Sequence, residues 1–251
     1  MDAKLRFAGT RRRAVAVTAG LSSRVQSIGF RLRRRRISRQ YLRGDGLEIG
    51  ALHRPLRVPA SVNVRYVDRM DVADLRAHYP ELRKAQLVDV DIIDDGETLG
   101  SQPDASVDFI IANHFIEHTE DPIGTVANHL RVLRPGGVLY LAVPDRHHTF
   151  DVDRPPTPVD HIVRDHRDGP AWSRPIHQEE WARLVEKVAA EDVPERVRWL
   201  EDHDYSIHFH VWDPDEFRLL LEFARDQERL PFTIEQVARN GHEFIAVLRR
   251  N

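Results

Sequence analysis

Residues 106–143 read SVDFIIANHFIEHTEDPIGTVANHLRVLRPGGVLYLAV, and this stretch predicts a strand, a helix and a second strand in succession. The run 107–112 is almost continuously apolar, whereas 122–133 repeats apolar residues at helical spacing behind an N-terminal proline. The turn sequence Pro-Gly-Gly at 135–137 ends the helix, and a strand at 138–143 follows at once. Apolar strands joined by helices are typical of a parallel sheet that is covered on both faces.

Apolar runs on both sides of this stretch extend the same pattern. Upstream, three short β-prone runs end at a glycine or an acidic residue; they span 47–49, 62–67 and 87–93. Downstream, runs at 232–238 and 243–249 flank Asn240-Gly241, which is a β-hairpin turn sequence. The sequence therefore predicts an α/β fold with a Rossmann-like seven-stranded sheet. The sheet is mostly parallel with a C-terminal antiparallel hairpin, and helices lie on both faces.

A long segment between the two sets of strands has a different character. Residues 144–178 are rich in Pro, His, Asp and Arg and show little periodicity, which predicts an irregular functional loop. Two helices follow it, one with an apolar stripe across 181–188 and one beginning at Asp213, where Glu216 is placed for a capping box. We expect 144–212 to form a lid inserted into the domain.

Composition bounds the class of protein. A chain of 251 residues with 41% apolar and 31% charged residues predicts one globular domain. The absence of cysteine excludes disulfides, thiol nucleophiles and thiolate metal sites. The net charge of −3 conceals an asymmetry, because residues 1–43 carry 13 basic side chains and one acid. We therefore expect a basic arm at 1–43 and an acidic domain at 44–251.

The arm has the pattern of a basic amphipathic helix. Leu21, Val25, Ile28 and Leu32 share one helical face, and arginines crowd the other faces. Such a segment packs on the edge of its own domain, or docks residues 11–43 on a membrane surface or a protein partner. Nucleic acid is disfavoured as a partner, since no aromatic residues interleave with the arginines. The short apolar stretch at 14–21 lacks an export cleavage site and is too short to span a bilayer.

The predicted strand ends carry side chains suited to one kind of ligand. Parallel sheets bind ligands beyond the carboxyl ends of their strands, at the point where strand order reverses. Acidic residues at several of these ends favour a ligand with hydroxyl and amino groups, such as a nucleoside, over a phosphate. No phosphate-binding loop and no dinucleotide glycine motif follow the first strand.

Six pieces of sequence in this order resemble the class I S-adenosylmethionine-dependent methyltransferases, and within them the small-molecule, type 11-like branch. The pieces are LEIG at 47–50, Asp68, DGETL at 95–99, SVDFII at 106–111, IEH at 116–118 and LRPGG at 133–137. The resemblance covers about 47–145, and the final hairpin fits the last two strands of the family. It implies S-adenosyl-L-methionine as cofactor and methyl transfer as the reaction.

The resemblance also implies roles for individual residues. Those expected at the methionine end of the cofactor are Glu48, Gly50 and Ala51, and those expected near the sulfonium are Asn113, His114 and Phe115. Asp68 is expected at the ribose, and Asp95 with Gly96 at the adenine. The chain departs from the family where His53 and Pro55 replace glycines or other permissive residues of the first loop. This departure leaves open a non-catalytic binding or scaffold protein that keeps the fold.

The catalytic base is expected after the fifth strand, because methyl transfer to a hydroxyl requires removal of its proton. Asp145, His147 and His148 are the first candidates; Asp151, Asp153, His161, His166, His208 and His210 are others. A divalent metal held by Asp151, Asp153, His208 and His210 is an alternative, but no spacing is diagnostic and we predict no metal site.

The acceptor is expected to be a small molecule or a glycan, methylated on a hydroxyl. A nicotinamide oxidoreductase is a rival function, disfavoured by the missing glycines and by the hairpin. A nucleic-acid methyltransferase is another, disfavoured by the acidic domain. We expect a cytoplasmic protein, with membrane association at the inner surface as an alternative. The excess of 34 arginines over 3 lysines predicts a bacterial source with a GC-rich genome.

Overall fold

One seven-stranded sheet forms the centre of the computed structural model, which describes residues 16–251 and, within them, the side chains from residue 29 onward except Glu81. The strands are Asp45–Ile49 (β1), Asn63–Asp68 (β2), Ile92–Ile93 (β3), Val107–Asn113 (β4), Leu133–Pro144 (β5), Phe232–Asn240 (β6) and Glu243–Arg250 (β7). The helices are Ala16–Tyr41 (α1), Val72–His78 (α2), Pro122–Val132 (α3), Val159–Asp168 (α4), Arg174–Glu180 (α5), Val193–Asp202 (α6) and Pro214–Asp226 (α7).

The strand order confirms the predicted fold class. The sheet runs β3-β2-β1-β4-β5-β7-β6, and β7 alone runs opposite to the other six strands. The predicted hairpin is present, but its two turn residues are Gly241 and His242, since Asn240 still pairs with Glu243. Gly241 has a φ of +71°, which a glycine tolerates in a tight turn. The strand order reverses between β1 and β4, so a cleft opens at their carboxyl ends.

Helices cover both faces of the sheet, as predicted. On one face, α3 and α7 bury apolar side chains that include Val126, Leu130, Phe217 and Leu221. The predicted capping box at the start of α7 is confirmed, because Asp213 accepts the N–H groups of the first turn while Glu216 accepts that of Asp213. This local sequence fixes where α7 begins and which face it turns to the core.

The second face is covered by α1, which lies within the segment predicted as a basic arm. Ile37 and Leu42 are buried against the sheet, whereas Leu32, expected on the packing face, is 58% exposed. Residues 37–42 therefore contribute to the core of the domain, although the predicted boundary at 43/44 placed them outside it. The side chains of the other three predicted apolar positions lie outside the described residues. No helix in the described part of the chain combines the length and the apolarity needed to cross a bilayer.

Polar contacts fasten α1 to the domain. Arg34 forms an ion pair with Glu243 of β7, and its Nε lies 2.7 Å from Glu243 Oε1. Ser38 Oγ donates to the carbonyl of Arg57 at 3.1 Å, and the ring of Phe30 stacks on His242 at 4.8 Å. Of the alternatives for the basic segment, packing on its own domain is the one that the described residues display.

Glu243 is buried with Arg34 on one side and His114 on the other, so we expect Glu243→Gln to lower the free energy of unfolding by about 2–3 kcal/mol. The amide leaves Arg34 without its counter-charge and leaves His114 with the carboxylate of Glu117 alone. Urea denaturation at pH 7 measures the loss. Glu235→Gln on β6 is the matched control, because that carboxylate pairs with Arg249 at the surface and should contribute under about 1 kcal/mol. Equal losses in both variants would contradict a special role for Glu243.

The lid is more regular than its sequence predicts. The expected irregular loop at 144–178 contains α4, most of α5 and several short 3-10 turns. Few apolar residues mark these elements, because polar contacts hold them: buried Arg154 pairs with Asp151 at 3.1 Å and with Glu180 at 2.8 Å. The next predicted helix is instead a π-helical turn at Trp181–Val185.

The third strand is much shorter than the predicted 87–93. Only Ile92 and Ile93 pair with β2, at its end. Ahead of them, the carboxylate of Asp91 accepts the backbone N–H of Tyr66 at 2.7 Å. A side chain thus takes the hydrogen bond that a neighbouring strand would otherwise take, and the edge of the sheet remains short.

Candidate active site

A cavity of about 650 Å³ lies at the carboxyl ends of β1, β2 and β4, where the strand order reverses. This volume lies within the usual range for small-molecule sites. Six of the nine residues predicted to contact the cofactor line it: Gly50, Asp68, Asp95, Gly96, His114 and Phe115. The topology therefore brings together residues that are up to 65 positions apart in the sequence.

The other three predicted residues are Glu48, Ala51 and Asn113, which do not line this cavity. Glu48 is buried beneath the first loop, where its Oε1 accepts the N–H of Leu56 at 2.8 Å and the amide of Asn113 at 3.2 Å. Burial raises the pKa of Glu48 to about 7, against the lowering effect of these hydrogen bonds. Through these hydrogen bonds, Glu48 and Asn113 hold the first loop in place without lining the cavity.

The first loop keeps a glycine where the cavity requires one. Gly50 has a φ of +61°, and no atom lies within 4 Å of the position that a Cβ would occupy. Its N–H donates to the carbonyl of Val67 at 2.9 Å, which holds the loop against β2. His53 is exposed, and neither His53 nor Pro55 lines the cavity. His53 and Pro55, where the chain departs from the family, therefore lie outside the part of the first loop that lines the cavity.

Two carboxylates border the cavity on the side of β2 and β3. Asp68 Oδ1 accepts the N–H of Arg69 at 2.8 Å, and burial raises the pKa of Asp68 while Arg69 opposes this. Asp95 Oδ1 accepts the N–H of Glu97 at 2.7 Å, which fixes the side chain in a turn. No hydrogen bond to Oδ2 of either aspartate occurs among the described residues. Each carboxylate thus keeps one oxygen for a hydroxyl or amino donor.

Gly96 allows the wall of the cavity to close. A Cβ at this position would lie 2.6 Å from a methyl carbon of Ile49 and 2.7 Å from the ring of Phe115. These distances are shorter than any ordinary contact between carbon atoms. Only glycine at position 96 therefore leaves room for the ring of Phe115 beside Asp95.

His114 carries a positive charge at the cavity wall. Its Nε2 lies 2.9 Å from Glu243 Oε2, and its Nδ1 lies 3.6 Å from the buried Glu117. Burial lowers the pKa of His114, but the contacts with the two carboxylates outweigh burial and raise the pKa to about 9. His114 is therefore protonated at neutral pH, when it cannot accept a proton from a substrate.

His118 has the opposite character. Its Nδ1 lies 2.8 Å from the carbonyl oxygen of Ile207, so Nδ1 carries the hydrogen and Nε2 holds the free lone pair. Burial, and then the neighbouring His208, lower the pKa of His118 to about 4. Nε2 makes no hydrogen bond with the described residues, and the side chain lines the cavity. Sequence reasoning assigned His118 only to the family pattern, since periodicity does not reveal which ring nitrogen is free.

A smaller cavity of about 200 Å³ adjoins the first one beneath the lid. Five residues line both: Arg69, Glu97, His118, Tyr205 and Ser206. The smaller cavity is bordered by four carboxylates and two guanidinium groups. Both arginines are engaged, since Arg174 binds Glu120 at 2.7 Å and Arg69 binds Asp204 at 2.7 Å. Burial, and then Asp95, raise the pKa of Glu97 to about 7.

The three residues favoured as catalytic from the sequence lie elsewhere. Asp145, His147 and His148 line neither of the two cavities. Asp145 is buried, with Oδ2 2.7 Å from Arg239 and Oδ1 3.1 Å from the N–H of His147. The end of β5 pairs with β7, and the chain then turns towards α7. Their closeness to the strand end in sequence therefore does not bring them to the cleft.

The alternative metal ligands are also separated. Asp151 accepts from His208 at 2.7 Å and pairs with Arg154, whereas Asp153 pairs with Lys187 at the surface at 2.6 Å. His208 instead groups with Glu117 and His118, with donor atoms within 4.8 Å of one another. The four residues named from the sequence do not form one set.

A family model described as "Methyltransferase domain" matches residues 27–224, which is more than half of the chain. A relative from Mycolicibacterium smegmatis, described as a probable S-adenosylmethionine-dependent methyltransferase, is 37% identical over 81 residues. That alignment covers 32% of this chain and only 28% of the relative.

Solved structures of similar proteins carry the same description. A SAM-dependent methyltransferase from Aquifex aeolicus is 14% identical, covers 82% of this chain and 82% of its own, and has a TM-score of 0.43. One from Thermotoga maritima is 14% identical, covers 93% of this chain and 96% of its own, and has a TM-score of 0.49.

Proposed function

This chain belongs to the S-adenosylmethionine-dependent methyltransferase family, and from that premise we propose that it methylates a hydroxyl of a polar, uncharged small molecule or glycan. S-adenosyl-L-methionine is its cofactor. The observation that carries the proposal is the carboxylate-lined second cavity, which meets the first at His118. The acceptor, the methylated atom and the base are all part of the proposal.

The first cavity fits the cofactor. Gly50 leaves open space beside the backbone, and Asp68 and Asp95 each keep one carboxylate oxygen for the hydroxyl and amino groups of a nucleoside. Bound S-adenosylmethionine supplies a methyl group on a positively charged sulfur. Phe115 lines the same cavity and packs against Gly96, which excludes water from that side.

The second cavity supports a hydroxyl-rich acceptor. Carboxylates accept hydrogen bonds from hydroxyl groups, and those outside an ion pair repel phosphate or carboxylate groups. In this cavity those are Glu201 and, when it is ionised, Glu97. The two arginines of this cavity already bind Glu120 and Asp204, so they offer little to an anion. Tyr205 adds an aromatic surface on which the apolar face of a sugar ring can pack.

His118 is the base that the geometry supports best. Its Nε2 is unprotonated at neutral pH, and the His118 side chain lines both cavities. The acceptor hydroxyl gives its proton to Nε2 while its oxygen gains the methyl group. The buried Glu117 carboxylate stabilises the imidazolium that results, since it already raises the proton affinity of His118 against the effect of burial.

Methyl transfer from radiolabelled S-adenosylmethionine tests the acceptor class. A panel of methyl glycosides should accept label, while the matching sugar phosphates and uronic acids should be at least ~10-fold poorer, as one unfavourable charge contact of about 1.4 kcal/mol implies. Amino sugars provide the comparison of oxygen with nitrogen, resolved by mass spectrometry of the product. Faster methylation of the phosphates, or label on the amine alone, would refute the proposed acceptor.

We propose a cytoplasmic bacterial protein, because its cofactor is made in the cytosol. The exposed face of α1 presents Arg31, Arg35, Arg36 and Arg39, which supports docking on an anionic membrane surface or an acidic protein. Of the segment 11–43 named for this docking, residues 11–15 lie outside the described part of the chain.

A further inference from the structure

Three histidines and one aspartate converge inside the lid, and none of the four lines either cavity. His161 and Asp165 stand one turn apart on α4, His177 lies on α5, and His210 lies in the segment that precedes α7. Their donor atoms all lie within 4.8 Å of one another. Asp165, His177 and His210 are buried, and the mechanism proposed above uses none of the four.

Three of the six distances between the donor atoms lie close to those around a four-coordinate ion. His161 Nε2 lies 3.0 Å from His177 Nε2 and 3.2 Å from Asp165 Oδ2, and His210 Nε2 lies 3.8 Å from the same oxygen. Zinc bonds of about 2.0–2.2 Å place neighbouring ligand atoms of a tetrahedron roughly 3.3–3.6 Å apart. Of the three observed distances, 3.0 and 3.2 Å are shorter than this range and 3.8 Å is longer.

The surroundings prepare the side chains to act as ligands. Ser173 Oγ donates to Asp165 Oδ1 at 2.6 Å and turns Oδ2 inward, where this buried oxygen has no hydrogen-bond partner. Burial, and then His161, lower the pKa of His177 to about 3, and burial lowers the pKa of His210 well below its usual value. Neutral imidazoles and an oriented carboxylate are the forms in which these residues bind metals.

We propose that His161, Asp165, His177 and His210 bind one zinc ion that fastens α4 and α5 to the segment before α7. Three imidazoles and one carboxylate suit zinc, and four protein ligands make a closed, structural site. The alternative is a metal-free network in which His161 and His177 share one hydrogen and His210 donates to the carbonyl of Glu120 at 3.3 Å. The proposal departs from the sequence prediction of no metal, because the ligands span three elements without a recognisable spacing.

Zinc content and thermal stability test the proposal without reference to methyl transfer. Tag-free protein, equilibrated with zinc and freed of excess, should contain about one zinc per chain. A strong chelator should remove it and lower Tm by about 8 °C or more, the shift expected when zinc exceeds its Kd about 1,000-fold. Cobalt added to the stripped wild-type protein should give the intense visible absorption of a four-coordinate site. Absence of bound zinc together with a Tm that ignores the chelator would overturn the proposal.

Variants locate the ion. His161→Gln should lose the zinc, while His166→Gln on the same helix should keep it, since His166 instead contacts Asp121 at 2.9 Å. His208→Gln tests the separate group near the active site and should also retain zinc. Zinc that persists in His161→Gln and is lost in His208→Gln would overturn the assignment. If His161→Gln does not fold, the cobalt spectrum of the wild-type protein decides the coordination number.

Discussion

His118→Ala should lower kcat for methyl transfer by about 100- to 10,000-fold, the range that a positioned general base contributes. The His118 side chain lies where the two cavities meet and has a free Nε2, and alanine leaves no group there to accept the proton. Affinity for S-adenosylmethionine should change little, since Asp68 and Asp95 lie on a different wall. Single-turnover methylation measures the chemical step, and titration calorimetry measures cofactor binding.

Two further variants separate proton acceptance by Nε2 from the contact that His118 makes with the lid. In His118→Asn the amide nitrogen takes the place of Nδ1 and can still donate to the Ile207 carbonyl, so this variant should keep the lid in place and lose activity. His147→Ala removes a histidine that the sequence favoured and should retain wild-type kcat, because His147 faces Asp213 at 3.4 Å. If His147→Ala lost activity while His118→Ala kept it, the base would instead be among the residues predicted from the sequence.

The same assignment fixes the pH profile of kcat. His118 must be unprotonated and has a pKa of about 4, so kcat should stay level as pH falls through 6.5. His114 loses its proton near pH 9, and with it the contacts to Glu117 and Glu243, so kcat should fall above that pH. Both substrates must be saturating, because Glu48 and Glu97 ionise near pH 7 and should alter the KM values. A fall in kcat centred on 6.5 would point to another histidine.

Asp68→Ala should weaken S-adenosylmethionine binding by about 150- to 25,000-fold. The family resemblance places the carboxylate at the two ribose hydroxyls, and two charge-assisted hydrogen bonds of about 1.5–3 kcal/mol each account for that loss. Calorimetric titration with S-adenosylmethionine and S-adenosylhomocysteine gives the Kd values. Asp74→Ala is the matched control, since Asp74 is exposed in the first turn of α2 and should bind as the wild type does.

The titration also decides between the remaining classes of function. Folded wild-type protein that binds neither compound would favour the scaffold alternative raised by His53 and Pro55. Binding of NADH in place of both would favour the dinucleotide alternative. If Asp68→Ala and the wild type bind S-adenosylmethionine with equal affinity, Asp68 does not contact the cofactor. The cavity would still be the place where the cofactor binds.

The sheet and much of the cofactor wall could be predicted because both follow from local patterns. An apolar run gives each strand, and the residue that ends a parallel strand lies at the binding edge whatever the loops do. Gly50, Asp68 and Asp95 are located by this rule alone, and all three line the cavity.

The lid and the base could not be predicted in the same way. The position of His118 depends on the carbonyl of Ile207, 89 residues away, and the folding of 144–178 depends on buried ion pairs rather than on apolar periodicity. The protonation states of His114 and His118, only four residues apart, are set by tertiary neighbours. Such long-range contacts leave no periodic signal in a single sequence.

Glu243 stands between the N-terminal helix and the cavity, since it contacts Arg34 of α1 and His114 of the cavity wall. Any partner that draws α1 off the sheet must break the first contact and thereby alter the second. By thermodynamic reciprocity, such a partner and the cofactor influence each other's affinity by the same factor. The hairpin tip thus joins the surface of α1 to the wall of the cleft, and we expect a partner that displaces α1 to change the affinity for the cofactor.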